Sequence, residues 1–134
     1  MSAPPIAQTL RDHGIQPSAQ RVAVANFVLS TDEHPSADEV WTRVRAAFPM
    51  ISRATVYNTL NVFVERGLLR ELTLAEGRTV FDPNTAPHHH FIDDTTGLID
   101  DIPWDSLTVS NVDALPDVSV REFQVVVRGK KQPR

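Results

Sequence analysis

The chain has 134 residues, of which 41% are hydrophobic and 22% charged, with a formal net charge of −4 and ten prolines. Such values fit one or two compact globular units separated by firm turns. Cysteine is absent, which excludes disulfides, thiol catalysis and any cysteine-held zinc, a structural site built from four cysteines included.

The elements are read in chain order. Residues 4–13 form a short helix closed by Gly14. Pro17-Ser18 opens a second helix over 18–29, with Val22, Ala25 and Leu29 expected on its buried face. Ser36 followed by Glu39 is a capping box for a third helix, which turns Val40, Trp41, Val44 and Phe48 inward and stops before Pro49. Ser52 caps a fourth helix over 53–66, with Val56, Leu60, Phe63 and Val64 as its apolar stripe and Gly67 as its end. Residues 68–74 and 78–81 read as a hairpin around Glu76-Gly77. Three helices followed by a hairpin is the order of a winged helix-turn-helix. Residues 82–87 read as a hinge, being rich in turn formers.

Beyond the hinge, 88–93 and 98–102 read as strands joined at Thr95-Thr96-Gly97, 104–115 is ambiguous, and 118–128 reads as a closing strand. On that strand Phe123, Val125 and Val127 share a face. Three strands bury little on their own, which predicts pairing with a second subunit. The fold class expected is α+β: a winged-helix DNA-binding domain over 1–81, then a small α/β dimerisation domain over 88–134. No apolar run reaches the roughly 18 residues a membrane span needs, and the first ten residues lack the pattern of a secretory signal. A cytoplasmic protein with no membrane partner is expected.

Bulk charge does not advertise nucleic-acid binding. Eight basic residues face nine acidic ones before Pro87, and five face eight after it. Placement outweighs the total, because a few arginines on one face suffice to meet phosphates. The fourth helix sets Arg53, Tyr57 and Asn61 at i, i+4 and i+8, with Thr55 and Asn58 beside them. Arg pairs bidentately with guanine and Asn with adenine, while Thr or Tyr packs against the thymine methyl. A plain solvated helix face is the alternative, and the surrounding order of elements favours DNA.

His88-His89-His90 is the sharpest local feature. On a strand, His88 and His90 point one way and His89 the other. With Thr95-Thr96 as the loop, paired numbers sum to 191 and His90 faces Asp101, so one ion could touch both. His34, before the third helix, and Asp82, in the hinge, are further ligand candidates. Two imidazoles and a carboxylate on one face suit Fe(II), Mn(II) or Zn(II). Exposed histidines beside a solvated acidic turn are the plain alternative. His13, near a helix end, reads as a surface group that compensates the helix dipole.

These residues carry a pattern. Gln20-Arg21, His34-Pro35-Ser36-Ala37-Asp38-Glu39-Val40, Ala54-Thr55-Val56-Tyr57-Asn58-Thr59-Leu60, Gly67-Leu68-Leu69 and Phe81-Asp82 together resemble the ferric uptake regulator (Fur) family over almost the whole chain. Phe81-Asp82, His88-His89-His90-Phe91, Ile99-Asp100-Asp101-Ile102-Pro103 and Leu107-Thr108-Val109-Ser110-Asn111 resemble the iron response regulator (Irr) subgroup of alphaproteobacteria most. The resemblance implies a homodimer on AT-rich, inverted-repeat operators, with Arg21, Arg53, Thr55, Tyr57, Asn58 and Asn61 as the DNA-facing set. It implies a regulatory metal between the domains on His34, Asp82, His88, His90 and Asp101. Haem control through His88, His89 or His90 belongs to the same implication.

Two positions depart from the family pattern. Pro87 stands where a second metal site needs histidine, and no histidine follows His90, so that site is expected to be missing. Gln16 stands where relatives often place a basic residue for the minor groove. The function expected is an Irr-like regulator of iron and haem genes. The rivals are a peroxide sensor of the same fold, whose Fe(II) oxidises its own histidine ligands, and a small non-haem metalloenzyme. The enzyme reading is disfavoured because no general base or nucleophile array accompanies the cluster.

Overall fold

A computed structural model describes residues 5–133 of the chain. It divides into two compact units, Met1–Thr85 and Ala86–Arg134.

The first unit carries α1 (Ile6–Asp12), α2 (Ala19–Val28), α3 (Ala37–Ala47), α4 (Arg53–Glu65), β1 (Arg70–Thr73) and β2 (Thr79–Asp82). Each boundary has a local cause. Gly14 takes φ 73°, which lets its own N–H reach Arg11 O and the N–H of Ile15 reach Leu10 O, so α1 ends in a Schellman turn. Gly67, at φ 81°, closes α4 the same way on Val64 O and Phe63 O. Ser18, Ser36 and Ser52 cap the other starts by accepting from Arg21, Glu39 and Thr55 backbone N–H groups. The capping box predicted at Ser36 and Glu39 is complete.

Leu10, Val24, Val28, Val40, Val56, Leu60 and Phe63 are fully buried at the centre of the core. Truncating Leu60 there to Ala would cost about 2–5 kcal/mol. The buried face of α2 is Val24, Ala25 and Val28, with Val22 and Leu29 at its margin. That differs from the expected Val22, Ala25 and Leu29. Apolar residues run almost continuously over 22–25, so periodicity could not choose a face; contact with both α3 and α4 chose it. Thr59 joins the α4 stripe, whereas Val64, Trp41 and Phe48 pack only partly against the core. Leu68 and Leu69 are not strand residues; they are buried as the chain leaves α4. The hairpin pairs Arg70 with Asp82 and Thr73 with Thr79. Asp82 thus ends β2 rather than lying in a hinge.

The second unit is a three-stranded sheet in the order β4-β3-β5. Its strands are β3 (His88–Asp93), β4 (Ile99–Pro103) and β5 (Val126–Gly129), with a 3-10 turn at Trp104–Ser106. β4 runs antiparallel to β3, and β5 runs parallel to it. The turn between β3 and β4 is longer than two residues: Gly97 N–H donates to Asp93 O, and Asp93 N–H to Leu98 O. It keeps the same centre, so the register His90↔Asp101 stands as predicted.

The closing strand is shorter than expected. Only Val126–Gly129 is strand, and Val118 and Val120 are exposed. Alternation along 118–125 suits a strand, but β5 finds partners on β3 only at His90 to Asp93. A strand needs a neighbour as well as a pattern.

Candidate metal centre and DNA-reading face

In the second unit, alternation along β3 puts His88 and His90 on one face. Their Nε2 atoms lie 3.0 Å apart. Asp101 Oδ1 is 3.4 Å from His88 Nε2 and 3.6 Å from His90 Nε2. With metal–ligand bonds of about 2.1 Å, donors at a right angle stand about 3.0 Å apart and tetrahedral donors about 3.4 Å, so these separations suit one shared ion. The tautomer of His88 is set locally. Its Nδ1 lies 2.7 Å from Ala86 O, a carbonyl that can only accept, so Nδ1 carries the proton and Nε2 presents a lone pair. Orientation of a ligand imidazole through its second nitrogen is the usual support for a metal site.

In the first unit, His34 Nε2 lies 3.1 Å from Asp82 Oδ2, and both residues are buried. The backbone arranges this pair. Phe81 N–H donates to Pro35 O, which fastens the segment before α3 to β2. His34 takes φ 55°, a left-handed conformation uncommon for a residue with a side chain. Asn84 N–H donates to Asp82 Oδ1, leaving Oδ2 toward His34.

His89 leaves the histidine set. It turns to the opposite face of β3, where its ring stacks on Trp104 at 4.5 Å and 17°, with Phe123 against both rings. Val125 N–H donates to His89 Nδ1 at 2.9 Å, so in the neutral ring Nε2 holds the proton and offers no lone pair to iron. Of the three haem candidates, His89 is thus set apart from His88 and His90 by its partners. Phe123 belongs to that same cluster and is half-buried. The sequence signalled none of this, because Val125 and Trp104 approach His89 only through the sheet.

On α4, Arg53, Tyr57, Asn58 and Asn61 are exposed and Thr55 is half-buried. Arg21, also half-buried, joins Thr55 and Asn58 around a groove of about 380 Å³ between α2 and α4, and donates to Gln16 O. A second groove, of about 550 Å³, is lined by Tyr57, Asn61, Asp38 and Arg78. Asp38 is a neighbour that sequence reasoning missed: its carboxylate lies 3.4 Å from both Arg53 Nε and the Tyr57 hydroxyl.

Fold and side chains together define a class: a winged helix joined to a small strand unit that presents clustered imidazole and carboxylate groups. Residues 12–126 match the ferric uptake regulator family. The chain belongs to that family.

The peroxide-responsive repressor PerR of Staphylococcus aureus (strain Mu50) is 39% identical over 99 residues, which are 74% of this chain and 67% of the repressor. The Campylobacter jejuni peroxide stress regulator is structurally similar at a TM-score of 0.69 and 26% identity, covering 95% of this chain and 96% of that one. The Vibrio cholerae ferric uptake regulator shares the fold, with a TM-score of 0.71 at 23% identity over 93% of this chain and 98% of that one. No helix among the described residues is long and apolar enough to cross a membrane.

Proposed function

We propose that this chain is a metal-dependent, DNA-binding transcriptional repressor, cytoplasmic and homodimeric, whose signal is peroxide. The observation that carries the peroxide reading is the 39% identity to a peroxide-responsive repressor, joined to a ligand face that contains oxidisable imidazoles.

Its ligand candidates for a regulatory divalent cation are His34, Asp82, His88, His90 and Asp101. Three nitrogens and at least two oxygens accept Fe(II), Mn(II) or Zn(II), and affinity order alone favours zinc over manganese. When bound, Fe(II) supplies the electrons that reduce peroxide. The chain's own contribution is to fix the His88 tautomer and ring orientation through Ala86 O, so that its Nε2 lone pair lies on the ligand face, and to keep Asp101 beside both rings. An oxygen added to either imidazole removes a donor from that set. On DNA, Arg21, Arg53, Thr55, Tyr57, Asn58 and Asn61 meet the duplex, and an AT-rich inverted repeat matches a two-fold dimer. The chain is a regulator on this reading, not an enzyme.

The iron- and haem-responsive reading retains one support of its own: the Irr-like stretches over 99–103 and 107–111 in a chain without cysteine. Haem would have to use His88 or His90, since His89 is engaged elsewhere.

The deciding experiment loads the protein with Fe(II) or Mn(II), binds it to a duplex selected from a random pool, and adds H₂O₂ or haem. Release by H₂O₂ with Fe(II) only, and the gain of one oxygen atom at His88 or His90 by peptide mass spectrometry, is the expected result. Release by haem while Fe(II) and H₂O₂ have no effect would overturn the peroxide reading in favour of the haem one.

A further inference from the structure

Asp38 sits in the first turn of α3, where its carboxylate meets two side chains of α4. Arg53 and Tyr57 are one turn apart on α4, so both reach the same oxygen: Oδ1 is 3.4 Å from Arg53 Nε and 3.4 Å from the Tyr57 hydroxyl. Arg53 is held a second time, its guanidinium 4.7 Å from the centre of the Trp41 ring. Trp41 is itself fixed by an Nε1–H donated to Ile51 O.

Asp38 suits the first turn of α3, but its pairing with Arg53 adds little further stability. Asp38 and Arg53 are 60% and 59% exposed, and ion pairs so open to water contribute little. The start of α3 is already secured by the Ser36–Glu39 capping box. A negative charge in the middle of a DNA-reading face instead opposes contact with phosphate.

Non-specific affinity comes almost wholly from basic groups that neutralise phosphates and release counterions. An arginine already paired with a carboxylate adds nothing to that count, because the carboxylate must recover a cation when the arginine leaves. Contacts to base edges carry no such penalty when they complete a matched set of donors and acceptors.

We propose that Asp38 is a specificity-determining residue: it occupies Arg53 and Tyr57 as an internal substitute for phosphate and yields them only where base contacts complete the set. This rests on the DNA-reading assignment of α4 made above.

The test compares Asp38→Asn with Glu33→Gln in the full-length Mn(II)-loaded protein. Glu33 precedes α3 and pairs with Arg43, so Glu33→Gln removes the same charge without touching α4. Binding to a selected duplex and to a mixed-sequence duplex is followed by anisotropy from low to moderate salt. For Asp38→Asn the mixed-sequence affinity should rise by roughly three- to eightfold near 0.1 M salt, and the salt slope should steepen by about 0.9, the value of one further phosphate contact. The ratio of specific to non-specific affinity should narrow, and the effect should vanish in an Arg53→Gln/Tyr57→Phe background.

Equal gains for Asp38→Asn and Glu33→Gln would reduce the effect to bulk charge and overturn the proposal. Parallel weakening on both duplexes at an unchanged slope would leave Asp38 a positioning residue only, and would also overturn it. If the wild-type protein binds neither duplex, the DNA-reading assignment fails along with it, an outcome distinct from the other two.

Discussion

Asp101 stands directly opposite His90 across the β3–β4 ladder, and one of its carboxylate oxygens lies between 3.4 and 3.6 Å from the Nε2 atoms of both His88 and His90. The relationship depends on register. A slip of one residue would bring Asp100 or Ile102 opposite His90 and turn the carboxylate of Asp101 to the other face.

Metal binding should therefore depend on this face. The double change His88→Ala/His90→Ala should abolish tight Mn(II) binding in calorimetry. Asp101→Ala should weaken it at least as much as loss of an outer-shell partner, about 10–100-fold. Unchanged stoichiometry in the double variant would place the site elsewhere.

His89 should behave differently from its two neighbours. His89→Ala leaves the part-buried N–H of Val125 without its acceptor and removes the stack on Trp104. A loss of about 1–3 kcal/mol in urea unfolding is expected from the unmet donor, with metal stoichiometry preserved. Loss of metal binding in this variant, with the fold intact, would add His89 to the ligand set.

Tyr57→Ala should weaken operator binding by about 1–3 kcal/mol, the cost of one base contact. The side chain is 43% exposed, so the fold should tolerate the change. Unaltered operator affinity in a folded variant would reject α4 as the reading helix.

Dimer formation should use the open edge of β5. Val125 O accepts from His90 N–H and Gly129 O from Asp94 N–H, so odd-numbered residues of this stretch bond to β3. The N–H of Val126 then points to the open edge. Sedimentation should show a dimer at micromolar concentration, and Val126→Pro should shift it toward monomer while the β3–β5 bonds persist. A wild-type monomer at high micromolar concentration would contradict this.

Much of the architecture is legible in the amino-acid sequence, and for local reasons. Ser36 and Glu39, Ser52 and Gly67 act within one helical turn of themselves, so helix limits follow from the residues that make them. The alternation His88, His89, His90 and the turn at 94–97 lie close in sequence, so the pairing of His90 with Asp101 could be counted out along the hairpin. Contacts that join distant segments were settled by tertiary structure alone. The chain must fold back before β5 can bring Val125 to His89, before α3 can bring Asp38 to Arg53 and Tyr57, and before the Pro35–Phe81 hydrogen bond can set His34 against Asp82. Periodicity records which residues prefer burial or one face of an element. It carries no record of the partner across the gap, because packing geometry decides that partner.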